Sequence, residues 1–303
     1  MYLKDAIKEF IYELQIRNYS KRTVKDYQND LKRFLIYVKD NHDVEELEEV
    51  SSIHIKQYLS DKKEVGVKVV TLNTYLKHLK VFFNYCYQEE YCMNIAKRIR
   101  RAKEPKTVIK TFNDLEVAKM IGAYNFSDYM NARNKVIITM LMDTGIRNTE
   151  LCLIEIEDIR STTILIHGKG NKERVVPVSP ILKKAMIRYE RIREKHLKNK
   201  NCIHDNYFLS SRYKQLTDCS IDRVIKQAGK VAEVRSEIRV SAHTFRHWYA
   251  QTQLKNGLDI YSLSRVLGHE SVNITRIYLQ GVQDDEIIKS SIKTSPLMNL
   301  KVK

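Results

Sequence analysis

Apolar residues recur every three or four positions through the first part of the chain. This spacing is typical of amphipathic helices that bury one face. It predicts four helices, over residues 3–17, from Ser20 through Val38, from Ser51 or Ser52 through Leu59, and over residues 70–88. Because the connections between them are short, we expect the four helices to pack as a small all-α bundle.

The second part of the chain has a mostly helical pattern with a short hairpin. Asn113 and Glu116 have the spacing of a capping box, which predicts a helix through Ile121. Residues 162–167 and 174–178 read as two strands joined by a glycine-containing turn. Further helices are predicted over residues 128–142, 180–197, 217–233, 242–255, 260–267 and 272–279, with a short strand over 206–210 and one more short helix within 284–303. The expected fold class is mainly α with a small antiparallel β-sheet.

Residues 97–110, KRIRRAKEPKTVIK, separate the two patterns. Seven of these residues are basic and one is acidic, and Pro105 forbids an uninterrupted helix. The sequence therefore predicts a helical domain over residues 1–96, a basic linker over 97–110, and a mixed α/β domain over 111–303.

Charge points to a polyanionic partner. Lysine and arginine number 53 against 37 acidic residues, which gives a net charge of +16. Neutralising phosphates releases counterions, so such an excess favours binding to DNA over a merely basic soluble protein. The residues predicted to contact DNA phosphates are Lys21, Arg22, Lys25, Lys68, Lys77, Arg98, Arg100 and Arg101. The alternative for each of them is an ordinary solvated helix face or tether.

Several other classes of protein are disfavoured. The five cysteines are odd in number and form no CxxC pair, which is typical of reduced thiols in the cytoplasm. Cys202 and His204 form a lone Cys-x-His, so no zinc site is predicted, and no other metal or cofactor is expected. The N-terminus reads as an amphipathic helix and not as a signal peptide, and no run of 18 apolar residues would span a membrane.

Two arginines and a histidine have the chemistry to hold a phosphodiester. A phosphodiester under attack gains negative charge on its non-bridging oxygens, and the planar, always charged guanidinium suits them. His243 and Arg246 are three residues apart and share one helix face. Arg147 lies on a separate element, so the two arginines can converge on one phosphate.

A nucleophile and an acid would complete such a site. Tyr278 can attack phosphorus, provided that cationic neighbours or a base help it to ionise. Lys169, in the hairpin turn, can donate a proton to the leaving 5′ oxygen. Taken singly, each residue has an ordinary alternative: a surface ion pair, a turn lysine, a buried histidine, or one of 18 tyrosines. Only the ordered set favours phosphodiester chemistry.

The set resembles the tyrosine recombinase (phage integrase) family. The segments that carry the resemblance are TGIRNTEL, GKGNKERVVPV, HTFRHWYA and LGHESVNITRIY, and it extends over nearly the whole chain. It implies an N-terminal SAM-like core-binding domain, a basic linker and a catalytic domain. It also implies the catalytic residues Arg147, Lys169, His243, Arg246, His269 and the nucleophile Tyr278. Glu150 would support Arg147, and Lys172 is the less favoured general acid and a further DNA contact.

The resemblance also implies a reaction and an assembly. Four protomers would meet on two double-stranded DNA sites and exchange strands through a 3′-phosphotyrosine and a Holliday junction, with neither ATP nor metal. Without DNA the protein would be monomeric or weakly associated. No P-loop or HExxH motif argues for a different chemistry.

Some features bear on the biological role. The chain starts directly at the core-binding domain, as in simple Xer-type recombinases. The segment after Tyr278 does not resemble the usual Xer ending, which favours an enzyme of a mobile element, phage or plasmid. We expect the tail, residues 285–303, to dock on a neighbouring protomer, mainly through residues 287–300.

The alternatives are Xer-type resolution of chromosome dimers, a type IB topoisomerase, and a catalytically dead DNA-binding regulator. The core-binding domain and the Leu-Gly-His segment argue against the topoisomerase. Accessory proteins are compatible with each of these roles.

Overall fold

A computed structural model describes residues 1–105, 109–168, 172–198, 200 and 204–281. For residues 280 and 281 it describes only the backbone. The chain divides into two compact units, Met1–Lys106 and Thr107–Lys303. The division falls inside the segment 97–110 in which a linker is predicted.

The first unit is a four-helix bundle. Its helices are α1 (Leu3–Ile16), α2 (Lys21–His42), α3 (Ser52–Glu64) and α4 (Val69–Gln88). The hydroxyl of Ser20 accepts a hydrogen bond from the Thr23 backbone N–H and so caps α2, as predicted. Edge-to-face aromatic contacts fill the core, including Phe10 on Phe82 and Phe34 on Phe83. The predicted bundle is confirmed, although α2 and α3 extend beyond Val38 and Leu59 to the ends given above.

The chain after α4 stays attached to the bundle. The Asn73 side chain accepts a hydrogen bond from the Ala102 N–H at 2.9 Å and donates to the Ala102 carbonyl at 2.9 Å. It also donates to the Glu104 carboxylate at 2.8 Å, and Ile99 is buried in the core. The first part of the segment predicted as a linker is therefore packed on α4 and is not a free tether within this unit.

The second unit is mainly helical with one hairpin. Its elements are α5 (Asp114–Gly122), α6 (Tyr129–Thr144), α7 (Asn148–Leu153), β1 (Thr163–His167), β2 (Glu173–Pro177), α8 (Pro180–Leu197), α9 (Asp218–Val231), α10 (Ala242–Lys255), α11 (Ile260–Leu267), α12 (Val272–Thr275) and a 3₁₀ helix (Arg276–Gly281). The strands are antiparallel, with Thr163 opposite Pro177 and His167 opposite Glu173.

Helix α6 forms the centre of this unit. Its residues 136–142 are all buried, with six of the seven apolar, and the helix packs against α8 and α10. Gly145 ends the helix in the left-handed conformation, at a φ of 61°. The turn that follows places Arg147 at the N-terminal cap of α7.

Two local predictions need correction. Residues 206–210 do not form a strand, since they make only isolated bridges, Glu155 with Asn206 and Leu209 with Gln215. The helix predicted over 272–279 is an α-helix only through Thr275, after which the chain tightens into the 3₁₀ helix. The helix predicted within 284–303 lies outside the described residues. Among the residues that the structure does describe, no helix is long and apolar enough to cross a membrane.

Candidate active site

Glu150 stands between two arginines on different elements. Its carboxylate accepts hydrogen bonds from the Arg147 Nη1 at 2.7 Å and from the Arg147 backbone N–H at 2.8 Å. Arg174, on β2, binds the same carboxylate with Nη1 at 2.8 Å from Oε1 and Nη2 at 2.7 Å from Oε2. Burial alone would raise the pKa of this carboxyl, but the hydrogen bonds and charge of Arg174, together with Arg147, lower it to about 2.

The end of α11 completes the surroundings of these arginines. Arg174 Nε donates to the Val266 carbonyl at 2.9 Å, and Arg147 Nη2 donates to the Gly268 carbonyl at 3.3 Å. Gly268 has a φ of 64°, and a Cβ there would lie 2.8 Å from the Arg174 Cδ. A glycine is therefore required in this turn, both for its conformation and for the close approach of Arg174.

Arg246 is buried and connects the turn after α6 to the end of α11. Its guanidinium donates to the Gly145 carbonyl at 2.8 Å and to the Leu267 carbonyl at 2.6 Å, and the residue is only 3% exposed. Burial, and then the positive charge of Arg147, lower its pKa to about 10. Three arginines thus surround one carboxylate, so the site carries excess positive charge that an anion such as a phosphate would neutralise.

Two histidines lie beside these arginines in their neutral form. His269 Nδ1 is 2.8 Å from the Thr275 hydroxyl, and burial followed by the charges of Arg246 and Arg147 lowers its pKa to about 4. His243 is exposed on α10. Its pKa is also lowered, first because the surrounding protein displaces water from its ring, and then by the positive charges of Arg246, Arg239 and Arg147. Neutral imidazoles can donate hydrogen bonds to a bound phosphate and can accept protons.

Tyr278 lies in the 3₁₀ helix and is 2% exposed. It packs with Tyr249, Leu263 and Leu267, and its ring lies nearly parallel to that of His269. Burial raises the pKa of its phenol, whereas the nearby charges of Arg246 and Arg147 oppose that increase. The hydroxyl is therefore within the electrostatic influence of both arginines.

The structure brings six of the sequence-predicted residues into one cluster: Arg147, Glu150, His243, Arg246, His269 and Tyr278. Lys169, the predicted general acid, lies outside the described residues. Lys172 is exposed, and its Nζ lies 3.4 Å from the Glu270 carboxylate, next to His269.

Two residues of the cluster were missed by the sequence interpretation. Arg174 lies in the GKGNKERVVPV segment, but nothing in the strand pattern marked its pairing with Glu150. His247 follows Arg246 directly, and its Nδ1 lies 3.2 Å from the Tyr278 hydroxyl. Its spacing of four residues from His243 on one helix face was a usable signal, since such residues are neighbours.

The residues predicted to contact DNA phosphates are all exposed. They are Lys21, Arg22, Lys25, Lys68, Lys77, Arg98, Arg100 and Arg101 in the first unit and Lys172 in the second. Within the described ranges, no group of three or more histidine, cysteine or acidic side chains is placed to hold a metal ion.

Residues 110–284 match the phage integrase family, and residues 7–90 match the phage integrase N-terminal SAM-like domain. The chain belongs to the phage integrase family. The tyrosine recombinase XerC of Thermodesulfovibrio yellowstonii is 30% identical over 283 residues, which cover 92% of this chain and 91% of that protein. By membership, this chain is an enzyme of the tyrosine recombinase family, and the resemblance described above is confirmed.

Solved structures of integrases share the fold. The XerH site-specific recombinase bound to a palindromic difH substrate has a TM-score of 0.76 at 23% identity, covering 91% of this chain and 81% of that one. A lambda integrase tetramer bound to a Holliday junction has a TM-score of 0.73 at 18% identity, covering 94% of this chain and 78% of that one. The predicted fold class, mainly α with a small antiparallel sheet, is confirmed.

Proposed function

We propose that this integrase is a site-specific recombinase that cuts and rejoins double-stranded DNA through a 3′-phosphotyrosine. One observation carries the proposal: the hydroxyl of Tyr278 shares a buried cluster with the guanidinium of Arg246 and lies within the field of Arg147. This combination supplies a nucleophile beside a preorganised cationic site for a phosphodiester.

Each residue has a role in this proposal. Arg147 and Arg246 bind the non-bridging oxygens of the scissile phosphate, and Glu150 keeps Arg147 in place through the contacts described above. His243 and His269, both held neutral, contact the phosphate and relay protons. The backbone carbonyls that bind Arg246 fix its guanidinium before DNA arrives, so little reorganisation is needed during the reaction.

The cleavage step balances without a cofactor. The Tyr278 oxygen forms a bond to phosphorus and loses its proton to a basic group of the site. The bond from phosphorus to the 5′ oxygen breaks, and Lys169 donates a proton to that leaving oxygen. In the rejoining step the 5′ hydroxyl of the partner duplex loses its proton and attacks phosphorus, the bond from phosphorus to the Tyr278 oxygen breaks, and that oxygen takes up a proton. The phosphoester bond energy is conserved throughout, so no ATP is required, and Arg147 and Arg246 supply the positive charge that a metal ion would otherwise provide.

A nicked suicide DNA substrate tests this chemistry. The wild-type protein is expected to form an SDS-resistant adduct with DNA, and Tyr278→Phe is expected to form none. An adduct that persists in Tyr278→Phe would move the nucleophile to another tyrosine, of which Tyr249 and Tyr261 are nearest in sequence. The absence of any adduct from the wild-type protein would support a catalytically dead DNA-binding regulator instead. Relaxation of supercoiled plasmid without recombinant products would support a type IB topoisomerase.

The exposed lysines and arginines listed above are proposed to bind the DNA backbone. Replacing Lys21 and Lys25 with glutamine should weaken binding to all DNA sequences and reduce the salt slope of the affinity by about 0.9 per lost contact. Lys4 and Lys8 are exposed on α1 and lie outside the proposed set, so their replacement with glutamine is a control with the same loss of charge. Equal effects of the two pairs would contradict the assignment.

We propose that the enzyme acts as a homotetramer on two DNA sites and is monomeric or weakly associated without DNA. The lambda integrase tetramer on a Holliday junction, which shares the fold, supports this arrangement. The tail, residues 285–303, lies outside the described residues, and we propose that its part 287–300 docks on a neighbouring protomer. Its deletion should abolish cooperative assembly in gel-shift titrations while leaving the affinity of a single site unchanged. Unchanged cooperativity would contradict the docking.

For the biological outcome, we propose integration, excision or resolution for a mobile element, phage or plasmid, because the segment after Tyr278 departs from the Xer ending. The Xer names of the relatives favour resolution of chromosome dimers as a second candidate. Footprinting on DNA that flanks the gene separates them. A specific site there supports the mobile element, and a single chromosomal site near the replication terminus supports dimer resolution. In both cases the enzyme works in the cytoplasm, with its DNA, and accessory proteins can act at the site.

A further inference from the structure

His247, which has no role in the reaction proposed above, contacts the side chain of Tyr278. The Nδ1 of His247 lies 3.2 Å from the Tyr278 hydroxyl, and the two rings meet nearly edge to face, with centroids 5.4 Å apart. His247 lies on α10, one residue after Arg246, and Tyr278 lies in the 3₁₀ helix. This bond therefore connects the helix that carries His243 and Arg246 to the element that carries the proposed nucleophile.

We infer that His247 orients the nucleophile of this integrase, by accepting a hydrogen bond from the Tyr278 hydroxyl at Nδ1. The inference rests on the proposed role of Tyr278 and adds a residue to that site. His247 acts on the reacting oxygen by fixing its direction, and it need not take the proton.

The surroundings of His247 leave its imidazole able to accept the hydrogen bond. Burial first, and then the neighbouring His243 and Arg246, lower the pKa of His247 to about 4. The ring of His243 is close, with its centroid 4.1 Å from that of His247. The imidazole is consequently neutral at neutral pH, with one nitrogen that can only accept. If Nδ1 accepts from Tyr278, the proton of the ring is on Nε2.

The hydrogen bond to His247 sets the direction of the lone pairs on the Tyr278 oxygen. When the phenolic hydrogen points to His247, the lone pairs of the oxygen are directed away from it. The cationic charge that acts on the same oxygen comes from Arg246 and Arg147, where the phosphate is proposed to bind. Because Tyr278 is almost fully buried, its ring has few other positions, and the hydrogen bond selects among them. Fixing a nucleophile in this way lowers the entropic cost of reaching the transition state.

A matched pair of substitutions isolates the hydrogen bond. Asparagine and leucine have nearly the same shape, and the amide of asparagine can occupy the position of Nδ1. His247→Leu is expected to slow single-turnover cleavage of the nicked suicide substrate by about 10- to 100-fold. His247→Asn should recover most of that loss. Both variants should bind DNA as the wild type does and unfold at a similar temperature, which separates orientation of Tyr278 from damage to the fold.

Two results would overturn the inference. If His247→Leu cleaves at the wild-type rate, the hydrogen bond does not matter for attack. If His247→Asn is as slow as His247→Leu while both remain folded, the imidazole acts as a proton acceptor and not as an orienting group.

A DNA substrate with sulfur in place of the bridging 5′ oxygen distinguishes a defect in the nucleophile from a defect in protonation of the leaving group. A thiolate leaves without a proton, so a defect in the general acid is relieved and a defect in orientation is not. Lys169→Ala should therefore cleave the sulfur substrate much faster than the ordinary DNA substrate. His247→Leu should cleave the sulfur substrate more slowly than the wild type does. Rescue of His247→Leu to the wild-type rate would place His247 on the leaving-group side and overturn the inference. An adduct formed by Tyr278→Phe would instead refute the proposed nucleophile, whatever the His247 variants do.

Discussion

Arg174 and Glu150 form a bidentate ion pair, with Nη1–Oε1 at 2.8 Å and Nη2–Oε2 at 2.7 Å. The pair lies behind Arg147, which shares the same carboxylate. Because Arg174 is on β2, the hairpin strand and the proposed phosphate site are joined through Glu150. This relationship makes Glu150 the centre of a network and not merely a partner of one arginine.

Arg174→Lys is expected to slow DNA cleavage by about 10- to 100-fold, because a lysine keeps the charge but cannot hold both carboxylate oxygens and the Val266 carbonyl together. Single-turnover cleavage measures the effect, and DNA affinity should remain within about twofold, since Arg174 is not among the proposed DNA contacts. The matched control is Arg235→Lys, which alters a comparable pair with Glu116 elsewhere in the unit. Cleavage by Arg174→Lys at the rate of that control would refute the proposed coupling.

The stability of the catalytic unit should depend on pH through Glu150. Its pKa in the folded protein is about 2, below the ordinary value of 4.5. A lowered folded-state pKa stabilises the protein above the unfolded value, and the contribution is lost as pH falls from 4.5 to about 2. Urea unfolding between pH 6 and pH 2 measures this loss. Glu150→Gln should be less stable at pH 6 and should show a weaker dependence on pH in this window. An identical pH profile for the variant and the wild type would contradict the prediction.

Gly145→Ala should destabilise the second unit by roughly 2–5 kcal/mol, because a left-handed conformation and overpacking add to one another. The new Cβ would lie 2.5 Å from the Tyr249 Cδ1 and 3.1 Å from the Leu267 Cδ2. Thermal unfolding measures the change. Gly257→Ala is the control, since Gly257 also has a positive φ but has open space around it, and only the backbone cost applies. Equal losses in the two variants would show that the contact with Tyr249 does not matter.

Asn73→Ala should release the chain after α4, because the Ala102 N–H and carbonyl would lose their partner at a cost of roughly 1–3 kcal/mol. The exposed Arg100 and Arg101 would then become better sites for trypsin, and the rate of cleavage there, followed by mass spectrometry, measures the effect. Thr74→Ala removes an exposed side-chain hydrogen bond that stays within the same helix, to the Val70 carbonyl, and is the control. Unchanged proteolysis in Asn73→Ala would mean that Asn73 does not hold this segment.

Most helices could be predicted from the sequence because their signals are local. Apolar spacing records which face is buried, and caps such as Ser20, Asn113 and Gly145 mark where helices begin or end. The segment 206–210 was misread because a strand needs a partner, and its neighbours offer only single bridges. The end of the helix over 272–279 was misread because a tighter turn leaves no distinct apolar pattern.

The sequence by itself determined the family and, through four ordered motifs, the residues proposed for catalysis, because residue types at fixed spacing identify this chemistry. Only the tertiary structure decided which other side chains support those residues. Arg174 reaches Glu150 across 24 positions, and His247 reaches Tyr278 across 31. Such pairs depend on how a strand, a helix and a 3₁₀ turn pack together, and no local pattern in the sequence records the contact between two separate elements.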